Sequence, residues 1–193
     1  MAVLLPSMCR HFTWIFFLCL TVATACETKF QQSANLPQDK FIQVYFNHRE
    51  SDRLYTDPYR QVERSGDNLE AVIIDQIAAA QSTIDLAVQE LNLPLIAQAL
   101  VKSHRSGVKV RVILDNNYSR SLSEFNQQEI KQLNQRDRYK YNEFVQLVDL
   151  NNDGDLSPTE IAQQDALVIL HQAGIPLIDD TADGSKGSGL MHH

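Results

Sequence analysis

The strongest chemical pattern in the sequence is a twelve-residue stretch, 149–160, with oxygen-bearing residues at positions 1, 3, 5, 7, 9 and 12. A hard cation such as Ca²⁺ takes about six to eight oxygen ligands, and this spacing lets one loop supply them. Gly154, at position 6, permits the sharp bend that such a loop needs. The stretch therefore predicts a calcium site whose ligands are the side chains of Asp149, Asn151 and Asp153, the backbone carbonyl of Asp155 and both carboxylate oxygens of Glu160.

The flanks of this loop indicate how it is built. Helical patterns precede and follow it, and the helix-loop-helix unit over residues 138–173 resembles the EF-hand family. One alternative stays open. Ser157, Pro158 and Glu160 also form a capping box with proline at the first helical position, so an Asx-rich turn before a helix fits as well. The resemblance names a ligand and no reaction.

Length and composition predict a globular protein. The chain has 193 residues, of which 44% are hydrophobic, enough for one good-sized core and too many for a disordered tail. The formal net charge of −7 argues against binding of nucleic acid or anionic lipid by the whole surface, because both need a basic footprint. A local basic site stays open.

Residues 1–25 have the composition of an export signal. Arg10 precedes an apolar run over 12–20, and Ala23-Thr24-Ala25 ends the segment with the small residues of a cleavage site. The run is short for a membrane-spanning helix. We therefore expect removal of residues 1–25, a polar linker over 26–39, and a mature protein that is periplasmic or extracellular.

All three cysteines, Cys9, Cys19 and Cys26, lie in or just after this segment. At most one remains in the mature chain, so no internal disulfide is expected. Cys26 directly follows the small residues, an arrangement that resembles the lipobox of bacterial lipoproteins, in which the cysteine is lipidated. Ordinary secretion and a retained membrane anchor are the alternatives to a lipid tether at Cys26.

The rest of the chain shows alternating strand and helix patterns. Strands are expected over 41–46, 83–88, 108–114 and 175–178, helices over 69–80, 93–105, 138–148 and 158–173, a polar helical stretch over 118–135, and a long loop over 47–66. Strand, helix and strand with short connections predict a right-handed parallel crossover. The predicted fold class is α/β, with function at the edge where the parallel strands end.

Two parts of this pattern resemble the phospholipase D superfamily. They are the strand-helix-strand segment 81–115 and the ending, in which Ala173-Gly174-Ile175-Pro176-Leu177 is followed by a loop and then by Met191-His192-His193. The resemblance spans about residues 40–193 and is interrupted by the calcium loop. It implies a mixed sheet flanked by helices, with the EF-hand inserted between the third strand and the motif strand.

The resemblance also implies a chemistry. In the family, a His-x-Lys motif followed by an aspartate supplies a histidine that attacks a phosphodiester phosphorus and becomes a phospho-histidine. A second histidine protonates the leaving oxygen, and lysines hold the phosphate oxygens. His192 matches the first position of the motif and His193 the second. The lysine and aspartate would follow residue 193, so we expect this chain to be an N-terminal part that is inactive alone.

Together these patterns predict a phosphodiester hydrolase that acts on phospholipid in preference to nucleic acid, with Ca²⁺ in a structural or regulatory role. The second catalytic motif is expected in further sequence or in a second subunit. The alternative function is a non-catalytic, calcium-binding exported module. For His192 the alternative is that the glycine- and serine-rich run 184–189 is a linker and Met-His-His the start of a tag.

Overall fold

The computed structural model describes residues 39–47, 53–179 and 181. The chain divides into two compact units, Met1–Gln43 and Val44–His193. In the first unit the described stretch is 39–43, where the Asp39 carboxylate accepts hydrogen bonds from the N–H groups of Phe41 and Ile42. The predicted signal, 1–25, and residues 26–38 of the predicted linker lie outside the described residues.

The first predicted strand, 41–46, is wrong, because the structure has no strand there. In the second unit, the N–H of Phe46 donates to the Asp67 carboxylate at 2.9 Å, and the N–H of Asp67 donates to the Phe46 carbonyl at 2.6 Å. The side chains of Val44 and Phe46 are exposed. Aromatic and β-branched residues suit a pleated surface, but they form a strand only where a neighbouring strand pairs with them.

The described residues of the second unit form five strands and six α-helices. The strands are β1 (Leu54–Thr56), β2 (Glu63–Ser65), β3 (Thr83–Val88), β4 (Lys109–Leu114) and β5 (Leu177–Asp179). The helices are α1 (Leu69–Ala79), α2 (Pro94–Arg105), α3 (Gln127–Gln132), α4 (Gln135–Val148), α5 (Pro158–Gln164) and α6 (Ala166–Gln172). Within these described residues, no helix is long and apolar enough to cross a membrane.

The predicted loop over 47–66 contains an antiparallel hairpin of β1 and β2. The Asp57 carboxylate organises its turn by accepting the N–H groups of Tyr59 and Arg60 and a 2.7 Å bond from Arg64 Nε. Strands of three residues are too short to show a two-residue period, which explains why the sequence pattern missed them.

The main sheet has three parallel strands in the order β3, β4, β5. The predicted crossover from β3 through α2 to β4 is confirmed. One face of the sheet carries the core: Val110, Val112 and Leu114 of β4 are at most 3% exposed, in one cluster with Leu100 of α2 and Leu170 of α6. Each fully buried side chain of this kind stabilises the fold by about 1.5–3 kcal/mol.

Between β4 and β5 the chain leaves the sheet. The predicted helix over 118–135 is broken, because the side chains of Asn126 and Asn134 cap the new helices α3 and α4. The predicted helix over 158–173 is interrupted at Asp165, whose carboxylate accepts the N–H groups of Leu167 and Val168 and so begins α6. Short polar side chains compete for backbone donors in this way, and they therefore end one helix and start the next.

Candidate functional site

The three parallel strands end level with one another. Val88 of β3 pairs with Leu114 of β4, and Leu114 pairs with Asp179 of β5. The segments that follow the strands therefore leave the sheet along one line, which we call the carboxyl edge. Ligands of open α/β sheets bind outside this edge, so the residues found there form the candidate site.

Asp115 follows β4 directly and is 1% exposed. Its Oδ1 accepts hydrogen bonds from the backbone N–H of Asn117 at 2.9 Å and from the Asn117 side-chain amide at 2.8 Å. Its Oδ2 is buried and has no hydrogen-bond partner among the described residues. A buried carboxyl oxygen is costly without a partner, so Asp115 leaves one unsatisfied acceptor at the carboxyl edge.

Glu90 follows β3 and is held at both of its carboxylate oxygens. Its Oε2 forms an ion pair with Lys140 Nζ of α4 at 2.5 Å, and its Oε1 accepts a 2.6 Å hydrogen bond from the Asn92 side chain. The Lys140 ammonium also lies 4.1 Å from the centroid of the Tyr118 ring. Partial burial alone lowers the pKa of Lys140, but the bonds to Glu90 and Tyr118 outweigh it and raise that pKa. Lys140 therefore carries a stable positive charge between the segments that follow β3 and β4.

The hairpin is tied to the helices that begin near this edge. The Tyr59 hydroxyl bonds to the Glu70 carboxylate of α1 and accepts the N–H of Leu95, in the first turn of α2, at 3.4 Å. Burial, reinforced by Glu70, raises the pKa of Tyr59 well above its ordinary range, and burial also raises the pKa of Glu70. Both groups are therefore more protonated than free side chains.

The predicted calcium loop connects α4 to α5, with its first and last ligand residues buried. Asp149, the C-cap of α4, is 8% exposed, and Glu160, in the first turn of α5, is 6% exposed. The Asp149 carboxylate accepts the N–H groups of Asp153 at 3.3 Å and of Gly154 at 2.8 Å. The loop bends at two residues with positive φ, Asn152 at 58° and Gly154 at 86°. The bend expected at Gly154 is therefore present.

Glu160 closes the other end of the loop. Its Oε1 accepts the N–H groups of Leu150 at 3.0 Å and Asn151 at 3.3 Å, and its Oε2 accepts the N–H and hydroxyl of Ser157 at 3.0 and 2.6 Å. The capping box of Ser157 and Glu160 is therefore formed. These hydrogen bonds, with those from Ser157 first, lower the pKa of Glu160 and favour its charged form.

The five predicted calcium ligands are not gathered into one cluster. Asn151, Asp153 and Asp155 are exposed, in contrast to Asp149 and Glu160. Across 39–47, 53–179 and 181, no three His, Cys, Asp or Glu side chains are grouped so that they could hold a metal ion. Calcium binding by the loop stays a prediction. The predicted nucleophile, His192, lies outside the described residues, as does His193.

Sequence reasoning missed the Glu90–Lys140 contact at the carboxyl edge. Glu90 is two residues after the predicted strand 83–88. Because ligands bind at the ends of parallel strands, this position could have marked Glu90 as a candidate site residue. Lys140 is 50 residues further along the chain and has no such signal. Its place depends on how α4 packs, which no local pattern encodes.

The family model for the PLD-like domain of cardiolipin synthase matches residues 73–193, more than half of the chain, including β3, β4 and β5. The chain belongs to this family. The predicted membership of the phospholipase D superfamily is therefore confirmed, and a phosphodiester-hydrolase type of chemistry is supported for this PLD-like domain. No curated protein and no solved structure matches the chain.

Proposed function

We propose that this PLD-like protein is a phosphodiester hydrolase that works through a phospho-histidine formed on His192. The observation that carries the proposal is the family match over residues 73–193, which includes the parallel sheet and His192. The level ends of β3, β4 and β5 support it, because such an edge is where α/β proteins bind ligands.

The proposed reaction has two displacements. The imidazole of His192 attacks the phosphorus, the bond from phosphorus to one ester oxygen breaks, and that oxygen leaves as an alcohol with a proton from a second histidine. Water then attacks the phospho-histidine, gives its proton to the second histidine, and releases the phosphomonoester and free His192. The second histidine comes from another copy of the motif, in further sequence or in a second subunit.

We propose phospholipid as the substrate in preference to nucleic acid. The net charge of −7 leaves no broad basic footprint for a polyanion. The signal-like segment 1–25 supports export to the periplasm or the cell exterior, and Cys26 supports a lipid tether that keeps the enzyme at a membrane. The net charge argues equally against a broad surface for anionic lipid, so the preference rests on the export signal and on Cys26, which both favour a diester that lies in a bilayer.

We also propose that the loop 149–160 binds Ca²⁺ through Asp149, Asn151, Asp153, the carbonyl of Asp155 and Glu160. The buried carboxylates of Asp149 and Glu160, the helices on both sides and the bend at Gly154 support it. The displacements described above need no metal, so the proposed role of calcium is structural or regulatory.

The first step of the test is to sequence the coding DNA past His193. The family motif needs a lysine directly after His193 and an aspartate five residues after that lysine. Hydrolysis of phosphatidylglycerol vesicles and of a single-stranded oligonucleotide is then measured on the protein that the whole coding sequence encodes. We expect hydrolysis of the vesicles, with loss of activity of about 10³-fold or more in His192→Ala, as for removal of a nucleophile.

His193→Ala is the matched control, because it removes the neighbouring imidazole that is not the proposed nucleophile. This variant should keep most of the hydrolytic activity. Hydrolysis that survives His192→Ala would refute the assignment of the nucleophile. A stop codon or a run of histidines after His193 would favour the alternative function, a non-catalytic calcium-binding exported module.

A further inference from the structure

The carboxyl edge carries a carboxylate at the end of every strand of the main sheet. Glu90 follows β3, Asp115 follows β4, and Asp179 is the last residue of β5. A phosphodiester is a monoanion, and like charges at short range repel. A phosphate that approaches this edge therefore needs a cation placed over the strand ends.

Lys140 is a cation in that place. Its ammonium contacts Glu90, two residues after β3, and lies over the ring of Tyr118, four residues after β4. The side chain comes from α4, which follows β4 in the chain and is not part of the sheet. Its side chain is 26% exposed, so it is not sealed from solvent.

The direction of the Lys140 ammonium is set by its neighbours. Asn92 holds the Glu90 carboxylate, and Glu90 in turn takes one of the three ammonium protons. The Tyr118 ring stabilises the charge from its face. With Glu90 and Tyr118 as partners, at least one N–H remains to donate to an anion without breaking the ion pair.

We propose that Lys140 binds the substrate phosphate at the carboxyl edge, as a specificity-determining residue supplied by α4. This inference rests on the proposed phosphodiester function, and it adds to the site a residue that the sequence motif does not contain. A charge-assisted N–H···O bond to a phosphate oxygen favours a diester over a neutral ester, because a neutral ester leaves the lysine with no anion to contact.

The test measures anion binding separately from catalysis. The protein that the whole coding sequence encodes, labelled with ¹⁵N, is titrated with diethyl phosphate, a simple diester monoanion, and with triethyl phosphate, its neutral counterpart. We expect saturable shifts of the backbone amides of Glu90 and Tyr118 with diethyl phosphate and none with triethyl phosphate. Lys140→Met keeps the apolar stem, and it should raise the dissociation constant about tenfold, the size of one charge-assisted hydrogen bond.

Two variants separate phosphate binding from a purely structural ion pair. Lys140→Arg keeps the charge and should bind within about threefold of the parent, while Lys102→Met, on the exposed surface of α2, should bind as the parent does. Melting curves of all variants show whether each is folded. A parent chain with no saturable shifts, or equal binding by parent and folded Lys140→Met, would overturn the inference.

The two proposals fail in different ways. If diethyl phosphate binds through Lys140 but His192→Ala does not affect hydrolysis, the inference stands and the proposed nucleophile is wrong. If His192 is essential but Lys140→Met binds the diester normally, the proposed function stands and Lys140 is a structural residue.

Discussion

Two regions of the second unit are stabilised in different ways: the sheet region, which is β3 to β5 with the helices packed on them, and the loop region, which is α4, the loop 149–160 and α5. Around β4 the chain is held by fully buried aliphatic side chains such as Val112, Leu114 and Leu100. Along α4, the loop and α5, the buried apolar residues are Phe144 and Val148, and many of the other described contacts are helix caps and hydrogen bonds to carboxylates. The sheet region therefore depends mainly on burial of apolar surface, whereas the loop region relies more on hydrogen bonds to its carboxylates.

The largest expected effect is in the sheet region. Leu100 is completely buried, so Leu100→Ala removes buried methyl groups and leaves a cavity, with a loss of about 3 kcal/mol in the free energy of unfolding. Leu150, in the loop region, is 54% exposed, and Leu150→Ala should cost less than about 0.5 kcal/mol. Urea unfolding measures both, and similar losses in the two variants would break the comparison.

The next effect is the response of the loop region to calcium. With about 10 mM calcium and a Kd of about 10⁻⁴ to 10⁻³ M, binding should raise the melting temperature by about 3 to 10 °C. Glu160→Ala should remove most of this rise, because it deletes the ligand that is expected to supply two oxygens. Thermal melting followed by circular dichroism, with and without calcium, measures the effect.

Glu129 offers a matched control for Glu160. It occupies the same place in a capping box, with Asn126 at the start of α3, but lies outside the loop 149–160. Glu129→Ala should therefore leave the calcium-induced rise intact. Equal responses to calcium in Glu160→Ala and the parent chain would discard the calcium assignment.

The smallest expected effect concerns one exposed carboxylate. The Arg120 guanidinium, 2.7 Å from Glu129, and the backbone N–H of Asn126 together hold the pKa of Glu129 at about 2, below its ordinary 4.5. Because the pKa is lowered in the folded state, the stabilisation is complete above about pH 4.5 and is lost as the pH falls toward 2. Arg120→Met should move this pKa upward, toward 4.5.

A ¹³C titration of the Glu129 side-chain carboxyl measures that shift. Arg136→Met is the control, since it removes a guanidinium from α4 instead, and it should leave the pKa of Glu129 in place. An unchanged pKa in Arg120→Met would show that the pair does not persist in solution.

The spacing of apolar residues in the sheet region predicted its strands and its first helix well. The strand over 83–88 is confirmed, and the strand expected over 108–114 and the helix expected over 69–80 each differ by one residue at one end. Burial dictates side-chain period there, so the period is visible in the sequence. Part of the family resemblance, the segment 81–115, lies in this region and could be recognised for the same reason.

Elements held by polar contacts could not be predicted as well. The interruption at Asp165 depends on a carboxylate that caps α6 and also accepts hydrogen bonds from the hydroxyls of Ser121 and Ser123. The edge contact of Lys140 with Glu90 depends on the packing of α4. Both join residues that are far apart in the chain, and single-sequence patterns report only on neighbours.

Trapping the covalent intermediate shows whether the protein is a phosphodiester hydrolase with His192 as its nucleophile. The protein encoded by the whole coding sequence is mixed with a phosphodiester and quenched in alkali, in which phospho-histidine survives, and its peptides are examined by mass spectrometry. The account predicts a phosphoryl adduct on His192 that still carries the second ester group, and no adduct in His192→Ala. Hydrolysis without any adduct on His192, or an adduct on another residue, would contradict it.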